Sequence, residues 1–275
     1  MKIGVYMNKS VALLLVVESS KNNKGDVIGK YGTDIEISYE REAIVCVEYW
    51  RRNAGKYKDC SIYAVNLNGN PPDVSTINTL RKMKVMYVED YYPITKDFPC
   101  GYWNTPFALN YLENRYTLFE ETLIHIDLDM YLMRKPDEKL FEVDDCKICK
   151  ISINKYRPTD SLDYKISPIY PFEIATNFIV SKRQKRFYSN WWSSLFYLWQ
   201  TRKHNFDNKT LCIYEERIVD EMYHSGMFAF DFFDMDYQLE NDSKTLPFFI
   251  HAHLGKTDRF EKLIQKWFRL KRINK

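Results

Sequence analysis

The sequence predicts an α/β protein with a mostly parallel central sheet flanked by helices. Two observations carry that expectation. Short apolar runs alternate along the chain with stretches whose apolar residues recur at helical spacing, the pattern of strands joined by crossover helices. Within Thr122 to Met130 (TLIHIDLDM), the run Leu123 to Ile126 is short enough for a buried strand and ends in two carboxylates, Asp127 and Asp129. In parallel sheets of this kind ligands bind beyond the carboxyl ends of the strands, which is where that pair falls.

Taken in order, Val11 to Val17 (VALLLVV) reads as the first buried strand; seven residues are too few to span a bilayer. The polar stretch Glu18 to Asp34 contains Gly25-Asp-Val-Ile-Gly29-Lys30-Tyr31. This is not a phosphate loop, because three residues separate the glycines and Tyr stands where Ser or Thr would meet Mg²⁺. An exposed loop is expected there. Ala43, Ile44, Val47 and Trp50 mark a helix over Glu40 to Asn53, stopped near Gly55. Ser61 to Leu67 reads as the second strand, closed by the turn Asn68-Gly69-Asn70-Pro71-Pro72. A helix capped by Asp73 or Ser75 then leads to a third strand at Val85 to Val88.

After a loop with two prolines, Thr105 and Pro106 suit the first turn of a helix reaching Asn114, just before the Asp127/Asp129 strand. Lys147 to Ile153 and Ile174 to Ser181 read as further strands. Lys182 to Gln200 reads as a helix dense in Trp191, Trp192 and Trp199. Tyr214 to Tyr223 reads as a helix that opens on Glu215 and Glu216, with Asp220 one turn on. A carboxylate at a helix start gains from the dipole. Phe248 to Lys256 reads as a strand that ends in His251 and His253 on one face, followed by Gly255 and Lys256. In the last segment, Phe260, Leu263, Ile264, Trp267 and Phe268 form one apolar face of an amphipathic helix over Arg259 to Lys275. Its basic complement suits either packing on the domain or peripheral contact with an anionic membrane.

Composition narrows the function classes. With 45% hydrophobic and 28% charged residues the chain is an ordinary globular one, so a single domain over 1–275 is expected. A net charge of +3, from 40 basic and 37 acidic residues, is too balanced to argue for nucleic acid. The spacing of Cys146 and Cys149 lacks a second pair or a nearby His, so buried thiols are expected rather than zinc, and a reduced, cytoplasmic setting with them.

Two carboxylates left together at a strand end call for a divalent cation with oxygen ligands, Mn²⁺ or Mg²⁺. The apolar strand, Asp127-Leu128-Asp129 and the following Tyr131-Leu132-Met133 resemble the D-x-D signature of GT-A glycosyltransferases. The order of the other segments resembles the glycogenin-like members. The helix opening at Asn104-Thr105-Pro106, the strand with Asn177, the acidic helix and the His251-Ala-His253-Leu-Gly255-Lys256 element follow the same sequence. The resemblance implies one GT-A domain, with the nucleotide-sugar part at about 10–135 and the acceptor part at about 136–275. It implies that Asp127, Asp129 and His251 or His253 hold the metal, and that Asn104, Asn177, Gly255 and Lys256 meet a UDP-sugar donor. A general base would then come from Glu216, Glu215 or Asp220, facing a carbohydrate or glycoprotein acceptor.

Two other classes compete. A haloacid-dehalogenase-like phosphatase also uses D-x-D after a strand, but wants Thr or Val where Tyr131 stands, and usually on the first strand. A non-catalytic relative that binds nucleotide or carbohydrate would keep the same fold.

Overall fold

The computed structural model describes residues 11–19, 39–115, 118–136, 141–152, 172–202, 204–206, 208–233 and 249–251. Strand β1 (Val11–Val16) lies inside the sheet, paired in parallel with β2 (Ser61–Asn66) on one side and β4 (Thr122–Ile126) on the other. Strand β3 (Val85–Glu89) extends the parallel set beyond β2. β1 is apolar throughout because both its faces are covered. Leu13 and Leu15 pack under α1 (Tyr39–Asn53), with Ala43, Val47 and Trp50, while α2 (Val74–Lys82) adds Leu80 to the same core. Ala12 and Leu14 point the other way, against α3 (Asn104–Arg115), α4 (Phe187–Arg202) and α5 (Asn208–His224).

The second half of the sheet departs from a parallel arrangement at one strand. The order is β3-β2-β1-β4-β7-β6-β8, with β6 (Cys146–Ser152), β7 (Phe172–Lys182) and β8 (Phe230–Phe233). β7 runs antiparallel to both β4 and β6, whereas β8 is parallel to β6. Because β7 enters against the direction of β4 and is 11 residues long, only its second half pairs with β4, from Phe178 to Lys182. Residues 172–177 therefore overhang the carboxyl end of β4. A separate two-stranded ribbon joins β5 (Met130–Leu132) to β9 (Phe249–His251), with Met130 opposite His251.

Several expectations are corrected in detail. α4 starts at Phe187, not near Lys182: β7 runs to Lys182, and a 3₁₀ turn with Arg186 at φ +57° intervenes. α3 begins at Asn104 itself, one residue before Thr105. α1 ends at Asn53, and Gly55 follows at φ +59°, a conformation that glycine adopts without strain. Cys46, Cys60, Cys146 and Cys149 are buried free thiols, but Cys100 is disulfide-bonded. Among the described residues no helix is long and apolar enough to cross a membrane. The stretch 20–38 and the C-terminal segment with its expected helix lie outside the described residues.

Candidate functional site

Asp127 follows β4 directly. Its backbone N–H donates to the Asn177 carbonyl at 2.9 Å, so the register of β4 and β7 places Asn177 beside it. The strand alternation expected to aim both carboxylates alike does not apply, because β4 stops at Ile126. Residues 127–130 close a turn instead, with the Met130 N–H donating to the Asp127 carbonyl at 3.0 Å. The two side chains consequently differ in exposure: that of Asp127 is 42% exposed, whereas Asp129 is 4% exposed.

Behind Asp127 stands His125, which the sequence reading passed over. It lies two residues earlier, inside β4, and its ring reaches Asp127 across the end of the strand. Its Nδ1 is 3.2 Å from the Leu14 carbonyl, which can only accept, so the proton belongs on Nδ1. Nε2 is then 3.4 Å from Asp127 Oδ1, a close polar approach without hydrogen-bond geometry.

The overhang of β7 meets α5. Thr176 Oγ1 donates to Glu215 Oε1 at 3.1 Å, and the Ile174 N–H donates to Asp220 Oδ1 at 3.1 Å. α5 starts at Asn208, six residues before Tyr214, so Glu215, Glu216 and Asp220 occupy its middle and the helix-start argument falls. What sorts them is the buried stripe Leu211, Glu215, Ile218, Val219 and Met222, at i, i+4, i+7, i+8 and i+11. Glu215 lies on that stripe and is buried, while Glu216 is exposed. Trp191 fixes the turn by donating Nε1–H to the Glu215 carbonyl at 2.9 Å. Trp191 and Trp199 are core residues, and Trp192 packs against Phe98, Phe107 and Phe196.

Negative charge is concentrated along this edge. Burial raises the Glu215 carboxyl well above the usual glutamate range; the charges of Glu216 and Asp127 push the same way, and the Thr176 hydroxyl pulls against them. Burial likewise raises the Cys46 thiol on α1, reinforced by Asp129, Asp127 and Glu42. Such a field, together with two carboxylates on one turn, fits a hard divalent cation with oxygen ligands. Among the described residues no group of three or more His, Cys, Asp and Glu side chains converges as a complete metal site. Of the expected imidazoles, His251 is brought by backbone pairing to Met130, next to Asp129. His253, Gly255 and Lys256 lie outside the described residues.

Asn104 sits at the carboxyl edge too. Its Nδ2 donates to Glu18 Oε1 at 2.8 Å, just past the end of β1, and its Oδ1 is buried without a hydrogen-bond partner among the described residues. Beside it, Asn66 ties the ends of β1 and β2 together, with Nδ2 2.9 Å from the Val17 carbonyl and 3.0 Å from that of Asn70. An open groove of about 590 Å³ lies elsewhere, lined by α4 and α5 residues including Tyr197, Arg202 and Glu221. It contains none of the carboxyl-edge residues, so its size is no guide to the chemistry.

The seven-stranded sheet, flanked by helices and carrying one antiparallel strand beside β4, is similar to the fold of GT-A glycosyltransferases. Among solved structures, the chain is similar to the glycosyltransferase GlyE of Streptococcus pneumoniae TIGR4, with a TM-score of 0.50 and 12% identity over 88% of this chain and 54% of that one. It is also similar to an active-site mutant of LgtC, with a TM-score of 0.50 and 10% identity over 74% of this chain and 69% of that one. The chain thus spans about half the length of GlyE. No protein-family model matches the chain, and no curated protein does.

Proposed function

We propose that the protein is a metal-dependent glycosyltransferase. It would move a sugar from a nucleoside-diphosphate sugar, with UDP favoured, to a hydroxyl of a glycan, protein or lipid-linked acceptor. The observation that carries this reading is the β7 overhang. It holds Asn177 against Asp127 and links Thr176 to Glu215 at the carboxyl edge of the sheet. The shared fold with solved glycosyltransferases supports the same reading.

In this proposal Asp127 and Asp129, with His251 or His253, hold Mn²⁺ or Mg²⁺. When bound, the cation supplies charge neutralisation for the diphosphate leaving group. Lys256 adds a positive charge for the phosphates, and Gly255 lets the backbone approach them closely. The amides of Asn104 and Asn177 orient the donor. Of the two adjacent glutamates the proposal takes Glu215 as the group that manages a hydroxyl proton. It is buried and lies in the field of Glu216 and Asp127, whereas Glu216 is exposed. A carboxyl that keeps its proton to higher pH can donate to a sugar hydroxyl, and after losing it can accept the acceptor's proton. Asp220, bonded to the β7 backbone, is given a structural role.

The test is calorimetric titration with UDP and with GDP, in Mn²⁺ and in EDTA, on the native protein and Asp129→Ala. Metal-dependent binding of one nucleotide that the substitution abolishes supports the reading. Absence of nucleotide binding in both conditions overturns it.

A further inference from the structure

The opposite edge of the sheet carries a charge pattern that the donor site does not use. Residues 51–59 and 81–84 hold seven Lys and Arg against a single carboxylate, Asp59. These thirteen residues carry a net +6 in a chain whose total is +3, so the remainder is net acidic. The two segments are joined in space by Arg51. Its guanidinium donates to the carbonyl of Lys58 in the first segment, to that of Cys60 just after it and, at 3.3 Å, to that of Lys84 from the second. With Arg51 turned inward on carbonyls, Arg52, Lys56, Lys58, Arg81, Lys82 and Lys84 are left exposed. Lys135 joins the same edge, its side chain lying against Gly55.

Both segments immediately precede strands, β2 at Ser61 and β3 at Val85, so the cations gather at the amino-terminal ends of these two strands, while Glu120 and Glu121 precede β4 farther along the same edge. Asp127 lies past the carboxyl end of β4, a strand parallel to these through β1. A strand of this length separates the two edges by about 15–20 Å.

We propose that this basic edge is a docking surface for an anionic lipid bilayer, holding the protein with its Asp127 edge turned away from the membrane. A bilayer fits better than the other polyanions. Single-stranded nucleic acid binds on exposed rings, and the aromatic side chain of the two segments, Tyr57, is 8% exposed. An acidic glycan bound as acceptor would have to reach the far edge of the sheet. Cations gathered from two segments at one end of a domain can all come within a Debye length of a charged plane together. The inference is independent of the transferase reading, since it concerns the other edge. If both hold, the acceptor hydroxyl is presented from the aqueous side rather than at the headgroups.

The experiment is co-sedimentation of the full chain with vesicles of phosphatidylcholine alone and of equal parts phosphatidylcholine and phosphatidylglycerol. Binding is expected only to the anionic vesicles and is expected to fall as salt is raised. The pair Lys58→Glu and Lys82→Glu should weaken it by about tenfold or more. Lys58→Gln and Lys82→Gln, which leave no new charge, should weaken it in the same direction; circular dichroism verifies the fold of each variant. The reversal Lys266→Glu with Lys271→Glu, in the C-terminal segment, should leave binding largely intact. No binding by the native chain, binding unaffected by the edge variants, or binding lost only in the C-terminal variant would overturn the proposal. So would tighter binding to a short DNA duplex than to the vesicles at matched salt.

Discussion

Glu215 makes the stability of this protein depend on pH in a direction opposite to that of an ordinary paired carboxylate. Its folded-state pKa is raised by burial and by Glu216 and Asp127. Between the unfolded pKa and the raised folded value, the native chain holds one proton more than the unfolded chain. The unfolding free energy therefore falls as pH rises through that window, by about 1.4 kcal/mol per pH unit for this one group. The contribution is fully present below the unfolded pKa and is lost as pH climbs through the folded one. Glu215→Gln keeps the shape and can still accept from Thr176 Oγ1, but removes the titration. The variant should therefore gain stability relative to the native chain as pH rises from 5 to 8, by roughly 3–5 °C in Tm for each unit inside the window. Thr176→Val should do the reverse: it removes the hydrogen bond that lowers the pKa and widens the window upward. Thermal melts in EDTA at several pH values read both effects. Parallel Tm–pH curves for the native protein and Glu215→Gln would show that Glu215 is not a buried protonated acid in the native fold.

Other outcomes follow from the same geometry. Asp129→Ala should weaken metal-dependent nucleotide binding by at least the roughly 10–100-fold that even outer partners of a metal cost, read by calorimetry. Trp191→Ala empties a fully buried site and removes the hydrogen bond to the Glu215 carbonyl, so urea unfolding should show a loss of about 3–5 kcal/mol. Asn66→Ala removes the amide that joins the ends of β1 and β2, and should cost about 1–3 kcal/mol in the same assay.

Much of the fold is legible in the sequence because strand and helix periodicities are local. The runs at Val11, Ser61, Val85 and Thr122 are strands within a residue or two of the expected bounds, and the helices between them fall where apolar spacing predicts. The acidic helix was harder. Its true start at Asn208 shows only when Leu211 is counted into the stripe through Glu215, Ile218, Val219 and Met222. Counting it would have separated Glu215 from Glu216 without a structure. β8 is not legible in the sequence, because its four residues Phe230 to Phe233 have neither the length nor the clear alternation that marks a strand.

By itself the sequence determined the alternating elements, the apolar strand that ends at Asp127, and the thiol character of Cys146 and Cys149. Each of these depends on neighbours along the chain. Only the tertiary structure decided that β7 runs against β4 and overhangs it, which brings Asn177 to Asp127 and Thr176 to Glu215. It alone set His125 between Leu14 and Asp127, paired His251 with Met130, and drew Arg51 across to Lys84 so that two basic segments share one edge. These contacts join residues far apart in the chain, and strand direction and register, which no local periodicity encodes, decide which of them meet.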